Sequence, residues 1–165
     1  MWNLKGVDNE NINIMSSNLS ISCFYQNVRG LRGRVEEFYL SVLDCVYDIL
    51  IITESWLHSG IHSGELFDKR YTVYRADRKG SPEHNKRGGG VIVAIKNIYC
   101  CEEIRLNASY DDDGIDYIIL KVGLIRRASD TFYLGAFYFP PCTPREHYLS
   151  IYEDKVKYHL WVRPH

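Results

Sequence analysis

Hydrophobic and polar positions change period several times along the 165 residues, and each change marks an element. Leu19, Ile21, Cys23 and Tyr25 alternate with smaller or polar neighbours, which predicts a strand over residues 19–25. Leu31, Val35, Phe38, Val42 and Val46 then recur at helical spacing, with Glu36 and Glu37 off the stripe. That pattern predicts an amphipathic helix of about four turns. Residues 48–53, DILIIT, are almost wholly apolar and predict a strand buried on both faces. Strand, helix, strand with short loops is a βαβ unit, in which the two strands run parallel.

Both strands of such a unit end at the same edge of the sheet. Asn27 follows the first and Glu54 the second, so two polar groups distant in sequence are expected at one rim. Ligand sites of α/β sheets form at such rims, outside the carboxyl ends of parallel strands. Further strands are predicted at 71–75 (YTVYR), 91–96 (VIVAIK), 115–125 and 131–139, the last two joined by a turn around RRASD. Phe132, Leu134, Ala136 and Tyr138 share one face of the last strand, which Pro140 and Pro141 end. Residues 145–160 predict a closing helix, with Tyr148, Ile151, Tyr152 and Val156 near one stripe and Thr143 as N-cap ahead of Pro144.

Composition narrows the class without changing this picture. The length suits one domain, and 45% hydrophobic and 25% charged residues are ordinary for a soluble globular chain. A net charge of −1 excludes a globally basic nucleic-acid binder. An anionic partner would have to meet a local cluster, such as Arg75, Arg78, Lys79, Lys86 and Arg87. Cys23, Cys45, Cys100, Cys101 and Cys142 are scattered and lack C-x-x-C spacing. They fit reduced thiols in an intracellular protein rather than a disulfide framework or a zinc site. No apolar run approaches the roughly 20 residues of a membrane span. Residues 1–18 are polar and Asn-rich and read as a disordered leader, not a signal peptide.

Several candidate motifs reduce to local structure. Gly88–Gly90 precedes a strand instead of opening a helix, so it reads as a turn needing positive φ or close packing, not a phosphate loop. DDDG at 111–114 lacks the later ligands of a calcium loop and reads as a solvated turn. The histidines show no metal-ligand spacing, and there is no G-x-S-x-G string. What remains is Asn27, Glu54 and Tyr138. Glu and Asn offer the hard oxygen ligands that Mg²⁺ prefers. Such an ion polarises a phosphate, and a Tyr hydroxyl can donate to a phosphoryl oxygen.

The strings YQNVRGLRGRVEEF, YDILIITESWL, YRADR…KRGGGVIVAIK and AFYFPP occur in this order. Together they resemble the N-terminal part of an endonuclease/exonuclease/phosphatase domain, most closely the apurinic-endonuclease-like domain of non-LTR (LINE-type) retrotransposons. The resemblance spans residues 19–157 and leaves 158–165 as an unrelated tail. It implies part of a four-layer α/β sandwich, mainly its first sheet and flanking helices, and phosphodiester hydrolysis with Mg²⁺ or Mn²⁺. Asn27 matches the Asn that helps arrange metal and phosphate, Glu54 the metal-binding Glu, and Tyr138 the Tyr beside the scissile phosphate. Arg75, Asp77 and Arg78 match a recurrent string without an assigned role. The implied partner of an intact parent is DNA in the nucleus, with a reverse transcriptase fused downstream and no membrane.

The family pattern continues with Gly-Asp-Phe-Asn and Ser-Asp-His motifs, which these 165 residues do not contain. The Asp–His pair is the acid/base apparatus, so the chain by itself is expected to be inactive or nearly so. Half of a two-sheet sandwich would also expose an inner face, from which poor solubility or a molten state is expected. Two other readings share the sequence: a non-catalytic nucleic-acid-binding or interaction remnant, and a phosphoesterase of the same superfamily acting on a small phosphate.

Overall fold

The computed structural model describes residues 21–78, 88–104, 115–124, 127–141 and 143–146. Among the described residues seven strands, β1 (Cys23–Asn27), β2 (Ile49–Thr53), β3 (Tyr71–Ala76), β4 (Val91–Lys96), β5 (Tyr99–Glu103), β6 (Asp116–Leu124) and β7 (Arg127–Tyr138), form two sheets. The first has the order β1-β2-β4-β3 and the second β5-β6-β7. One helix, α1 (Val35–Leu43), links β1 to β2, and a short 3₁₀ turn covers Ser63–Glu65.

β1 and β2 are parallel, with Asn27 opposite Thr53, as the βαβ pattern requires. β4 runs antiparallel to both β2 and β3. All five residues of β2 are buried, because its two faces meet different cores. Leu50 and Ile52 join Phe24, Ile92 and Ala94 beneath Phe38 and Val42 of α1. Ile49 and Ile51 join Val91, Val93 and Ile95 against Ile118, Leu120, Val122, Leu134 and Ala136 of the second sheet. Alternation along β1 and β4 sorts their side chains between the same two cores.

The inner face of the first sheet is therefore covered, contrary to the exposed half-sandwich expected from sequence. β5, β6 and β7 fold back as an antiparallel meander and lay their own apolar face on it. A smaller cluster, Ile115, Ile119 and Phe137 with Tyr117 and Phe139, occupies the other face of the second sheet. Its rings stack, at 5.9 Å for Tyr117–Phe137 and 6.0 Å for Phe137–Phe139.

Element boundaries differ from the sequence reading where tertiary bonds intervene. The first strand runs Cys23–Asn27 rather than 19–25, and residues 19 and 20 lie outside the described ones. Just before it, the Ser22 carbonyl accepts from the backbone N–H groups of Asp48 and Ile49 at 2.9 and 3.0 Å. The helix is nine residues long, not four turns. Leu31 is buried in the loop before it, while Val46, expected on the stripe, is 77% exposed. The Arg70 guanidinium ends the helix early by donating to the carbonyls of Val42, Leu43 and Cys45 at 2.8, 3.2 and 3.2 Å. Asp68 orients that guanidinium through a 2.7 Å ion pair.

β5 was absent from the sequence reading, since YCCEE has one buried residue, Tyr99, and no clear alternation. The turn expected around RRASD is largely strand: β7 starts at Arg127, with an irregularity beside Gly123 and Leu124. Apart from Arg145 and Glu146, the predicted closing helix lies outside the described residues, as do the DDDG segment and Lys79, Lys86 and Arg87.

Asp48 ties the opposite end of the first sheet together. It accepts from the Ser22 amide and hydroxyl at 2.9 and 2.8 Å and from Lys96 Nζ at 3.0 Å. Burial works to raise its carboxyl, but these donors outweigh it and hold the group below its ordinary value of 3.8. Its stabilising contribution is thus complete above pH 3.8 and lost as pH falls through the depressed value. Asp48→Ala is expected to cost about 2 kcal/mol at neutral pH in urea unfolding. A cost near zero would show that the three bonds add nothing to stability.

Candidate active site at the sheet rim

The site begins where β2 ends. Glu54 follows Thr53 with φ of 57°, and Trp56 follows with φ of 54°, both in the left-handed region that L-residues rarely adopt. Two ladders hold this conformation from either side. Gly30 and Leu31 donate to the Glu54 and Ser55 carbonyls at 2.7 and 3.0 Å, while Ser55 and Trp56 donate to the Gly90 and Gly89 carbonyls at 3.3 and 3.1 Å. Strain of this kind persists only where the surroundings over-determine it. Gly30 is required in the arrangement: its φ is 101°, and a Cβ there would come 2.5 Å from the Trp56 ring.

The Glu54 carboxylate is oriented by named donors. Its Oε2 accepts from the Trp56 indole Nε1–H and from the Gly89 amide, the latter at 3.2 Å. The Tyr138 hydroxyl also donates to it. Burial works to raise the Glu54 carboxyl, but these hydrogen bonds and the Arg78 charge outweigh it and leave the group ionised below the usual range. Tyr138 is affected in the opposite sense. Burial, with the Glu54 hydrogen bond and charge, pushes its hydroxyl well up, so it stays a protonated donor. The Arg78 guanidinium carbon lies 6.0 Å from the centre of the Tyr138 ring.

The tertiary structure thus brings Glu54 and Tyr138, 84 positions apart by subtraction of their numbers, into direct contact. Asn27 sits at the same rim, at the exposed end of β1 opposite Thr53. Its Oδ1 accepts from the Arg29 amide at 3.3 Å. The recurrent string is divided in its use. Arg75 and Asp77 pair at 2.6 Å and brace the loop near His58, whose carbonyl Arg75 holds at 3.2 Å, whereas Arg78 reaches the site.

Gly88, Gly89 and Gly90 have φ of 115°, 77° and 86°, as the turn reading required. Their role goes beyond a turn, because Gly89 and Gly90 each direct an amide at a carboxylate. The second carboxylate is Asp116, the first residue of β6, which accepts from the Gly90 amide at 2.8 Å and is 9% exposed. Burial raises its carboxyl, as do the Glu54 and Asp77 charges, against the Gly90 amide and Arg78. Sequence reasoning passed over Asp116 because it follows the acidic DDDG turn and looks like more of it. A carboxylate heading an otherwise apolar strand was the available signal.

A divalent cation can be tested against this donor set. Among the described residues no group of three His, Cys, Asp or Glu could hold a metal. An ionised Glu54 offers a hard carboxylate oxygen of the kind Mg²⁺ takes when it keeps several waters, and Asn27, one strand away at the same rim, offers an amide oxygen.

The fold is similar to that of solved structures. The catalytic domain of human Nocturnin, determined with a bound sulfate anion, superposes with a TM-score of 0.55 and 16% identity, over 78% of this chain and 52% of that one. The AP endonuclease LMAP from Leishmania major superposes with a TM-score of 0.51 and 16% identity, over 81% and 44% respectively. The chain therefore spans about half the length of these structures. No protein-family model and no curated protein matches the sequence. At this identity the likeness is one of fold: the chain adopts part of the endonuclease/exonuclease/phosphatase α/β sandwich.

Proposed function

We propose that this chain is part of a divalent-metal-dependent phosphodiester hydrolase, an endonuclease domain of LINE-type retrotransposon origin that nicks DNA when complete. The observation that carries the reading is Glu54: an ionised carboxylate in a strained left-handed backbone, hydrogen bonded by Tyr138 at the rim of two sheets. The fold shared with an AP endonuclease supports phosphodiester chemistry, and the ordered sequence strings support the retrotransposon branch.

In this reading Glu54, helped by Asn27, holds Mg²⁺ or Mn²⁺. The bound ion would polarise the phosphate and stabilise the leaving oxygen. Tyr138 keeps its proton and donates to a phosphoryl oxygen. Arg78 adds positive charge beside it, where the anionic backbone of DNA would pass. In the parent the domain works in the nucleus, joined to a reverse transcriptase.

Catalysis also needs a general base to activate water, and groups that act as a unit lose orders of magnitude when one is absent. These 165 residues hold no Ser-Asp-His string, so the chain alone is expected not to nick. Supercoiled plasmid incubated with Mg²⁺ and the purified chain should stay supercoiled. Nicking that disappears in Glu54→Gln would show a working active site and overturn the inactivity. DNA binding that weakens steeply with salt, without cleavage and unchanged in Glu54→Gln, would favour the binding-remnant reading.

A further inference from the structure

Asp116 has no place in the reading above, and its position needs an account. A buried carboxylate is costly unless hydrogen bonded, and Glu54 and Asp77 add like charge. Core filling does not explain it, since an apolar residue would serve that purpose without the cost. Its connections are more specific. Oδ2 accepts from the Gly90 amide at 2.8 Å and occupies the space beside Gly89, where a Cβ would come within 2.4 Å of it. Asp116 also pairs in register with Tyr138 across β6 and β7.

From Gly90 the connections run directly to the site. The Gly90 carbonyl accepts from Ser55 and the Gly89 carbonyl from Trp56, which fixes the backbone on either side of the Trp56 amide. The Gly89 amide and the Trp56 indole then both donate to Oε2 of Glu54. The triglycine turn is a bracket with one arm on the second sheet, at Asp116, and the other on the first, at Glu54.

We propose that Asp116 is a positioning residue: by holding the triglycine turn through the Gly90 amide, it fixes the two N–H donors that orient the Glu54 carboxylate. Its use for cation binding rests on the metal-dependent reading of Glu54, whereas the orientation itself does not. Asp116 acts through Gly89, Gly90 and Trp56.

The test compares the full chain with Asp116→Ala and Asp116→Asn by hydrogen exchange of the Gly89 amide and the Trp56 indole N–H in ¹⁵N spectra, and by Mn²⁺ titration. Asp116→Ala removes the acceptor, so both protons should exchange about tenfold faster, while the Ile51 and Val93 amides at the sheet centre keep their protection. Asp116→Asn keeps an oxygen for Gly90 and should restore both protons to within about twofold of the parent chain. Mn²⁺ affinity should fall in Asp116→Ala and recover in Asp116→Asn.

Gly89→Ala is the second variant, because its methyl would press on Asp116 Oδ2 and lift the turn from the other side. It should speed Trp56 indole exchange even if Asp116→Ala does not fold. Unchanged exchange at Gly89 and Trp56 in a folded Asp116→Ala, or an unmoved indole in Gly89→Ala, would overturn the proposal. A parent chain that binds no Mn²⁺ would overturn the metal-dependent reading alone, and the exchange data would still decide the role of Asp116.

Discussion

Replacing Glu54 by Gln is expected to weaken Mn²⁺ binding by about a hundredfold or more, read from the electron paramagnetic resonance of the free aqua ion. The substitution keeps the size of the side chain and removes its charge. In the proposed metal-dependent reading Asn27 is neutral, so the charge of Glu54 would carry most of the affinity. The neutral amide also turns one carboxylate oxygen into an NH₂ group, which the Trp56 indole, a donor only, cannot accept and which the Tyr138 hydroxyl can meet only by reversing its own bond. Equal affinity in the two proteins would remove Glu54 from the proposed metal site.

The pH dependence follows from the same contacts. Burial works to raise the Glu54 carboxyl, but its donors and Arg78 prevail, so it titrates below the ordinary value of 4.5. Affinity and the stability contributed by the ionised form should be complete above pH 4.5 and fall only as pH drops through the depressed value. Asp116 has the opposite sign. Burial raises its carboxyl above 3.8, so it contributes stability at low pH that is lost as pH rises through the raised value. Asp116→Asn should therefore be no less stable than the parent chain at neutral pH.

The second large effect is structural. Phe38→Ala should destabilise the chain by about 3–5 kcal/mol. Phe38 is fully buried and meets Phe67 edge-on at 5.5 Å and 79°. An isolated helix of nine residues does not persist in water, so α1 forms because Phe38 and Val42 are buried beneath it. Truncation leaves a cavity between α1 and the first sheet that backbone bonded to β1 and β2 cannot readily close. Urea unfolding should show a lower midpoint with the slope unchanged. Leu40 is 56% exposed on the same helix, and Leu40→Ala should cost less than about 0.5 kcal/mol. A Phe38→Ala cost as small as that of Leu40→Ala would mean that α1 is not packed as described.

Local sequence determined the parts whose signal is local. The alternation of Ile21, Cys23 and Tyr25, the apolar run of β2 and the β-branched run of β4 placed three strands of the first sheet, since a strand buried on both faces has little other composition available. The βαβ order put Asn27 and Glu54 at one rim, because parallel strands joined by a helix must end at the same edge. Three consecutive glycines announced positive φ, which other residues adopt only under strain.

Tertiary structure decided what depends on groups distant in sequence. α1 stops at Leu43 because Arg70, from the loop before β3, takes its last carbonyls; no periodicity in α1 itself carries that information. β5 exists because β6 offers it an edge, not because YCCEE favours a strand. Above all, the contact of Glu54 with Tyr138 and the bracket from Asp116 through Gly90 and Gly89 join the two sheets. The sequence shows carboxylates, glycines and a tyrosine in separate segments. Which carboxylate is ionised, which is buried and which amide reaches each is settled only when the second sheet packs on the first, because burial and hydrogen-bond geometry are properties of that packing.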